Sequence, residues 1–240
     1  MKFSVAKEHR DFFQKHQAIE FEGLLPPEQV LRFNQAVDEA LVQRLGITAD
    51  KIRHQPPQKL FLDGRDLWRT NPLLKKMVMH LSCAEIASEL IEHKPLRLGY
   101  AQLFPQISPL LFKTHHNNDY ALFLQQQISL EACSCLQGVL CGLMLCLTGD
   151  GEDETGKPSE GIDIFAKKAG SGIFFHPDLP ISFQNLQQHP NQRYLLIVYT
   201  HRNTVYRLQP ADPQTHALKH CGYVFGDRLT DKLNPIVGPR

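Results

Sequence analysis

The 240 residues carry almost no net charge: 26 Lys and Arg stand against 25 Asp and Glu, leaving +1. No basic run interrupts that balance, so the electrostatic footprint of a polyanion binder is missing and nucleic acid is not expected as a partner. Long apolar runs are absent too. Without about 18 consecutive apolar residues the sequence offers no membrane-spanning helix, and no membrane association is expected. The opening residues, Met1-Lys-Phe-Ser-Val-Ala-Lys-Glu-His-Arg10, put charges where a secretion signal needs an apolar core, which points to the cytoplasm. The six cysteines form no Cys-x-x-Cys pair. Five of them (Cys83, Cys133, Cys135, Cys141, Cys146) lie in or near apolar sequence and read as buried reduced thiols rather than zinc ligands or disulfides.

Several catalytic signatures are also lacking. There is no Gly-x-Ser-x-Gly elbow, and Gly170-Ser-Gly172 has neither the further glycine of a dinucleotide turn nor the Lys-Ser/Thr of a nucleotide loop. Gly149–Glu160 reads as an exposed acidic loop without the ligand order of a calcium site. Asp63, Asp66 and Asp178 could serve acid/base chemistry, but no spacing brings them together. Neither an internal repeat nor a low-complexity segment is found.

What the sequence does contain suits one β-rich unit with helical additions, residues 1–240 as a single domain, at 42% hydrophobic and 21% charged residues. Residues 1–95 read as a mostly helical cover, 96–210 as the β core and 211–240 as a tail. The centre runs from Gly138 to Tyr206, with β-type runs at Val139–Leu147, Gly172–Phe175 and Tyr194–Thr200. Val139–Leu147 is apolar at every position but Gly142, which predicts a strand covered on both faces.

Around that centre, Phe3–His16 has a loose helical pattern and Gln17–Gly23 reads as a short strand. Pro26-Pro27 opens a helix whose apolar face (Val30, Leu31, Phe33, Ala36, Val37, Ala40, Leu41) runs to about Arg44, where Gly46 stops it. Lys59–Leu62 and Asp66–Trp68 suggest short segments. Asn71-Pro72 opens a helix over Leu73–His80, Ala84–His93 forms another, and Leu96–Phe104 alternates as a strand. Tyr206–Asp212 reads as a last strand, and His216–Val224 as a short helix or turn.

Leu24-Leu-Pro-Pro-Glu-Gln-Val30, Gly64-Arg-Asp-Leu-Trp68, Pro95-Leu-Arg-Leu-Gly-Tyr-Ala-Gln-Leu-Phe104, Gly170-Ser-Gly-Ile-Phe-Phe175 and Arg193 follow one another in an order similar to the phytanoyl-CoA dioxygenase-like branch of the iron(II)/2-oxoglutarate oxygenases. The similarity covers residues 20–206 and rests on order and spacing. It implies a double-stranded β-helix (a jelly-roll or cupin-like fold), two packed sheets around one cavity. It also implies iron(II) held by two His and one carboxylate, and 2-oxoglutarate gripped by an Arg fork.

The match to that chemistry is partial. Arg193 stands where the co-substrate Arg is expected. His-x-Asp occurs nowhere in the chain. Counting from Gly170 puts Ile181 at the distal histidine position, with His176 five residues early, and aligning Val139–Leu147 puts the His-x-Asp near Glu131-Ala-Cys133. The nearest substitute, His115-His116-Asn-Asn-Asp119, has the right atoms at another spacing: in a strand, His116 and Asp119 would point to opposite sides. Trp68 and Tyr100 read as core or cavity wall.

Three functions stay open at this point. One is a β-helix protein with an altered or lost iron site that binds a small anionic or lipid-like molecule near Arg193. A second is an active iron(II)/2-oxoglutarate hydroxylase with metal ligands His116, Asp119 and His176 and co-substrate residue Arg193. The third is a non-catalytic structural or protein-binding module. The sequence sets neither the substrate nor the oligomeric state.

Overall fold

The computed structural model describes residues 4–106, 119–149 and 163–238. Its centre is a six-stranded antiparallel sheet built from β1 (Ala18–Phe21), β2 (Leu96–Phe104), β4 (Leu136–Cys146), β5 (Gly172–Phe175), β7 (Tyr194–Tyr206) and β8 (Ile236–Val237). Their order is β1-β5-β4-β7-β2-β8. A second sheet of two strands pairs β3 (Gln127–Ser129) with β6 (Pro180–Ser182), Ile128 opposite Ile181. The result is a mixed α/β fold around a large antiparallel sheet, as the run of apolar strands requires.

β7 shows how one sequence feeds two cores. Its side chains alternate across the sheet, so Leu195, Ile197 and Tyr199 enter one apolar cluster while Tyr194, Leu196 and Val198 enter another. The fully apolar run of β4 has the same cause, with Cys141, Leu143 and Leu145 on one side and Val139, Met144 and Cys146 on the other. Where β4 meets β5, Gly142 lies opposite Phe175, and a Cβ on Gly142 would stand 2.3 Å from the Phe175 ring. The ring therefore needs the glycine.

Helices cover the first face. α1 (Lys7–His16) precedes β1, and α2 (Pro27–Leu45) begins with its proline in the first turn and ends on Gly46 at φ 63°, a left-handed cap that glycine adopts without strain. α2 buries Val30, Phe33, Ala36, Val37, Ala40 and Leu41. α4 (Pro72–Val78) is capped by Asn71, whose Oδ1 accepts hydrogen bonds from the Leu73 and Leu74 amides at 2.9 and 3.1 Å. α5 (Leu81–Leu90) adds Cys83, Ile86, Ala87 and Leu90 to the same core. Among the described residues no helix is long and apolar enough to cross a membrane.

The second face packs against the small sheet, α3 (Pro57–Asp63) and α6 (Asp119–Leu124). Here the aromatic rings gather: Phe61 contacts Phe104, Tyr120 and Phe123, and Phe183 contacts Phe104 and Phe123, with centroids 4.5–5.9 Å apart.

Two expected elements differ. Tyr206–Asp212 is no separate strand: β7 runs from Tyr194 to Tyr206, and its residues 201–204 bulge out between the Thr200–Val139 and Val205–Gln137 pairs, so Val205 and Tyr206 rejoin the ladder on β4. The ends of the chain are also more than cover and tail, since β1 and β8 form opposite edges of the large sheet. Asn234 fixes the second edge by donating to the carbonyls of Leu98 and Gly99 at 3.1 and 2.6 Å. Five of the six cysteines are buried as free thiols and Cys221 is half-buried. Most of the expected acidic loop Gly149–Glu160 lies outside the described residues.

Candidate functional site

The structure places the residues singled out in the sequence as follows. His116 lies outside the described residues, as does its neighbour His115, and of Asp119 only the backbone at the start of α6 is described. His176 follows β5. Its amide donates to the Gln17 carbonyl at 2.8 Å, its Nδ1 accepts from the Asp178 amide at 3.3 Å, and its ring is partly exposed beside the Asp178 carboxylate. Arg193 leads into β7, but its side chain turns to the helical face. There Nη1 donates to Asp38 at 2.9 Å and to Asn34 at 3.3 Å, both on α2. The two described members of the set are not brought together. His176 is one residue beyond the Phe175–Gly142 pair, level with Cys141, whereas Arg193 bonds Leu147. Six strand residues separate those levels, about 20 Å at roughly 3.3 Å per residue. The Arg193 guanidinium is moreover turned to α2, away from the second core.

The second core holds a small cavity of about 20 Å³, the volume needed by about one water, lined by residues of α3, β2, α6 and β7 and of the segments that follow β3 and β6. Apolar groups form most of its wall: Phe61, Phe104, Phe123, Phe183, Leu130 and Leu196. Its polar side is Arg65, Tyr100, Gln102 and Asp212, all buried. Arg65 sits in the connection after α3, which runs against β2: Arg65 bridges Gln102, and the Leu103 amide donates to the Gly64 carbonyl at 3.2 Å. Gly64 is required there, because a Cβ would come within 2.7 Å of Leu103.

Arg65 is fixed from several sides. Arg65 Nε donates to Gln102 Oε1 at 2.8 Å, Nη2 donates to Asp212 Oδ1 at 2.9 Å, and the guanidinium lies 3.8 Å over the Tyr100 ring. Asp212 accepts from the Gln214 amide at 2.8 Å and from the Cys135 amide at 2.9 Å. Gln102 Nε2 donates to the carbonyls of Phe61 and Leu103, and Gln214 Nε2 donates to Gln102 Oε1. Burial works against the charge of Arg65, but Asp212 and its other neighbours outweigh it and hold the guanidinium protonated above its ordinary range. Burial pushes the Tyr100 hydroxyl well up despite the adjacent Arg65, so it is a neutral donor.

No protein-family model matches the sequence. No curated protein matches it either. Solved structures do match the coordinates. The non-haem α-ketoglutarate-dependent carbocyclase SnoK of nogalamycin biosynthesis aligns with TM-score 0.62 and 15% identity over 97% of this chain and 96% of that one. The epimerase SnoN of the same pathway aligns at 0.60 and 13%, over 95% and 96%. CytC3, solved with Fe(II) and α-ketoglutarate, aligns at 0.53 and 11%, over 88% and 82%. The chain has the fold of these oxygenases.

On this oxygenase fold the iron-ligand positions reached by counting, Ile181 and Glu131-Ala-Cys133, become neighbours. β3 and β6 pair, and the Glu131 amide donates to the Pro177 carbonyl at 2.9 Å. Their chemistry does not fit iron(II). Ile181 has no ligating atom. The Glu131 carboxylate is 3.2 Å from Arg207 Nη2 and accepts from the Val139 amide. The Cys133 thiol contacts the Leu130 carbonyl, and burial pushes it up to about 12, so it stays a neutral thiol. Among the described residues no group of three His, Cys, Asp or Glu is gathered for a metal.

Sequence reasoning missed Arg65 and Asp212. The one available signal was a charged Gly64-Arg-Asp66 inside an otherwise apolar stretch, and its partner lies 147 residues further on.

Proposed function

We propose that the chain is a double-stranded β-helix of the phytanoyl-CoA dioxygenase-like kind that has given up iron and acts as a binding protein rather than a hydroxylase. In this reading β2, β4, β5 and β7 are the major sheet, β3 and β6 belong to the minor one, and the space between them is the former reaction chamber. One observation carries it. Ile181 on β6, which has no atom to offer a metal, stands at the position counted for the distal histidine, while Glu131 is tied to Arg207 and Cys133 is a buried neutral thiol. An iron site of two His and one carboxylate would lack its distal histidine in such a core.

The test is an anaerobic iron(II) titration followed by a succinate-release assay with 2-oxoglutarate. We expect no stoichiometric iron uptake and no succinate above the protein-free rate. One iron per chain with turnover that disappears in His176→Ala would overturn the reading and restore the hydroxylase.

A further inference from the structure

We propose that the small cavity of the second core is a binding site for a small monocarboxylate, its head group held by Arg65 and Tyr100 and its apolar end facing the phenylalanine wall. The inference rests on the iron-free reading of the same chamber and names its ligand class.

Three observations point there. Arg65 is held from three directions, by Gln102, by Asp212 and by the Tyr100 ring, yet its Nη1 has no hydrogen-bond partner among the described residues. The Tyr100 hydroxyl likewise has none, and both residues line the cavity. Every polar group behind them is satisfied, so the network does not need those two donors for itself.

A buried ion pair is a poor stabiliser compared with apolar residues of the same volume, because desolvation offsets the attraction. Its presence in a core otherwise made of Phe and Leu has a better explanation in recognition. The pair fixes a guanidinium whose remaining edge, with the adjacent phenol, lines the same cavity and leaves donors for a carboxylate.

Asp212 is the one anionic group at the site, and it decides the size of the ligand. It occupies the Nη2 end of Arg65 and accepts from two backbone amides, so a carboxylate ligand has only the Nη1 end left to approach. A second carboxylate would have to enter apolar wall without a partner. The cavity volume of about 20 Å³ holds about one water, so formate and acetate enter only if Phe123 or Phe183 moves, and a longer acid needs a larger displacement.

The experiment is titration calorimetry of the full chain at pH 7 in the presence of a metal chelator, with formate, acetate and 2-oxoglutarate as separate probes. We expect formate and acetate to bind, 2-oxoglutarate to bind at least tenfold more weakly, and Tyr100→Phe to weaken acetate several-fold while leaving the ion pair intact. Arg65→Met alone strands Asp212, so the double variant Arg65→Met/Asp212→Leu removes both charges and is expected to fold and to lose acetate binding at least tenfold. No binding of either monocarboxylate to the wild-type chain, or equal acetate binding by the double variant, would overturn the proposal. Neither of those results touches the iron reading, which fails only on metal uptake with turnover.

Discussion

Gly142 is occupied by its neighbour's side chain as much as by its own backbone. The Phe175 ring covers it so closely that an added methyl would meet three ring carbons at 2.3–2.7 Å. In a strand, Gly→Ala ordinarily gains about 0.4–1 kcal/mol by restricting the unfolded chain. Here overpacking, typically about 1–3 kcal/mol, wins. Gly142→Ala is therefore expected to lower the denaturation midpoint, and Phe175→Leu in the same chain to recover part of the loss. If the two substitutions prove additive in chemical denaturation, the ring contact is not the cause.

Among the elements, the pairing of Arg193 with α2 sets a second expectation. Its partner Asp38 is 43% exposed, so Arg193→Met removes a solvent-screened pair and costs at most about 1 kcal/mol. The melting temperature should fall by a few degrees at most, and acetate binding should not change. A loss of binding equal to that of the Arg65→Met/Asp212→Leu variant would place the anion site at Arg193 instead. The side on which Arg193 falls was not legible in the sequence. Residues 194–199 are apolar on both faces because both are covered, so alternation gives no sign of which parity looks into the chamber. α2 was legible from Pro27 to Gly46, since its breakers act locally and its apolar face recurs at helical spacing. The chamber was not, because its polar side joins Arg65, Tyr100 and Asp212 from three distant segments, and long-range pairing leaves no periodic trace.

For the molecule as a whole, the buried thiols set an alkaline limit. Burial raises Cys83, Cys133, Cys141 and Cys146 from an ordinary value near 9 to about 12. In that interval the unfolded chain has released protons that the folded chain still holds. Stability is thus unaffected below pH 9 and falls above it, by about 1.4 kcal/mol per pH unit for each thiol. Denaturation monitored from pH 7 to 11 should show a flat region and then a steep loss. Replacing Cys83 and Cys141 by alanine should flatten the slope even though it lowers stability at neutral pH. An unchanged slope would mean that other groups, such as the buried tyrosines, govern the alkaline transition.

The strand order of the large sheet has a consequence for synthesis. β7 lies between β4 and β2, yet it is made long after both. A growing chain that has left the ribosome as far as residue 190 carries two hydrophobic strands with no partner between them. The last gap closes only when residues 194–206 emerge and zip both ladders at once. Until then the nascent protein exposes open edges, the form in which chains capture one another, and chaperone dependence during translation follows from where a single strand was placed.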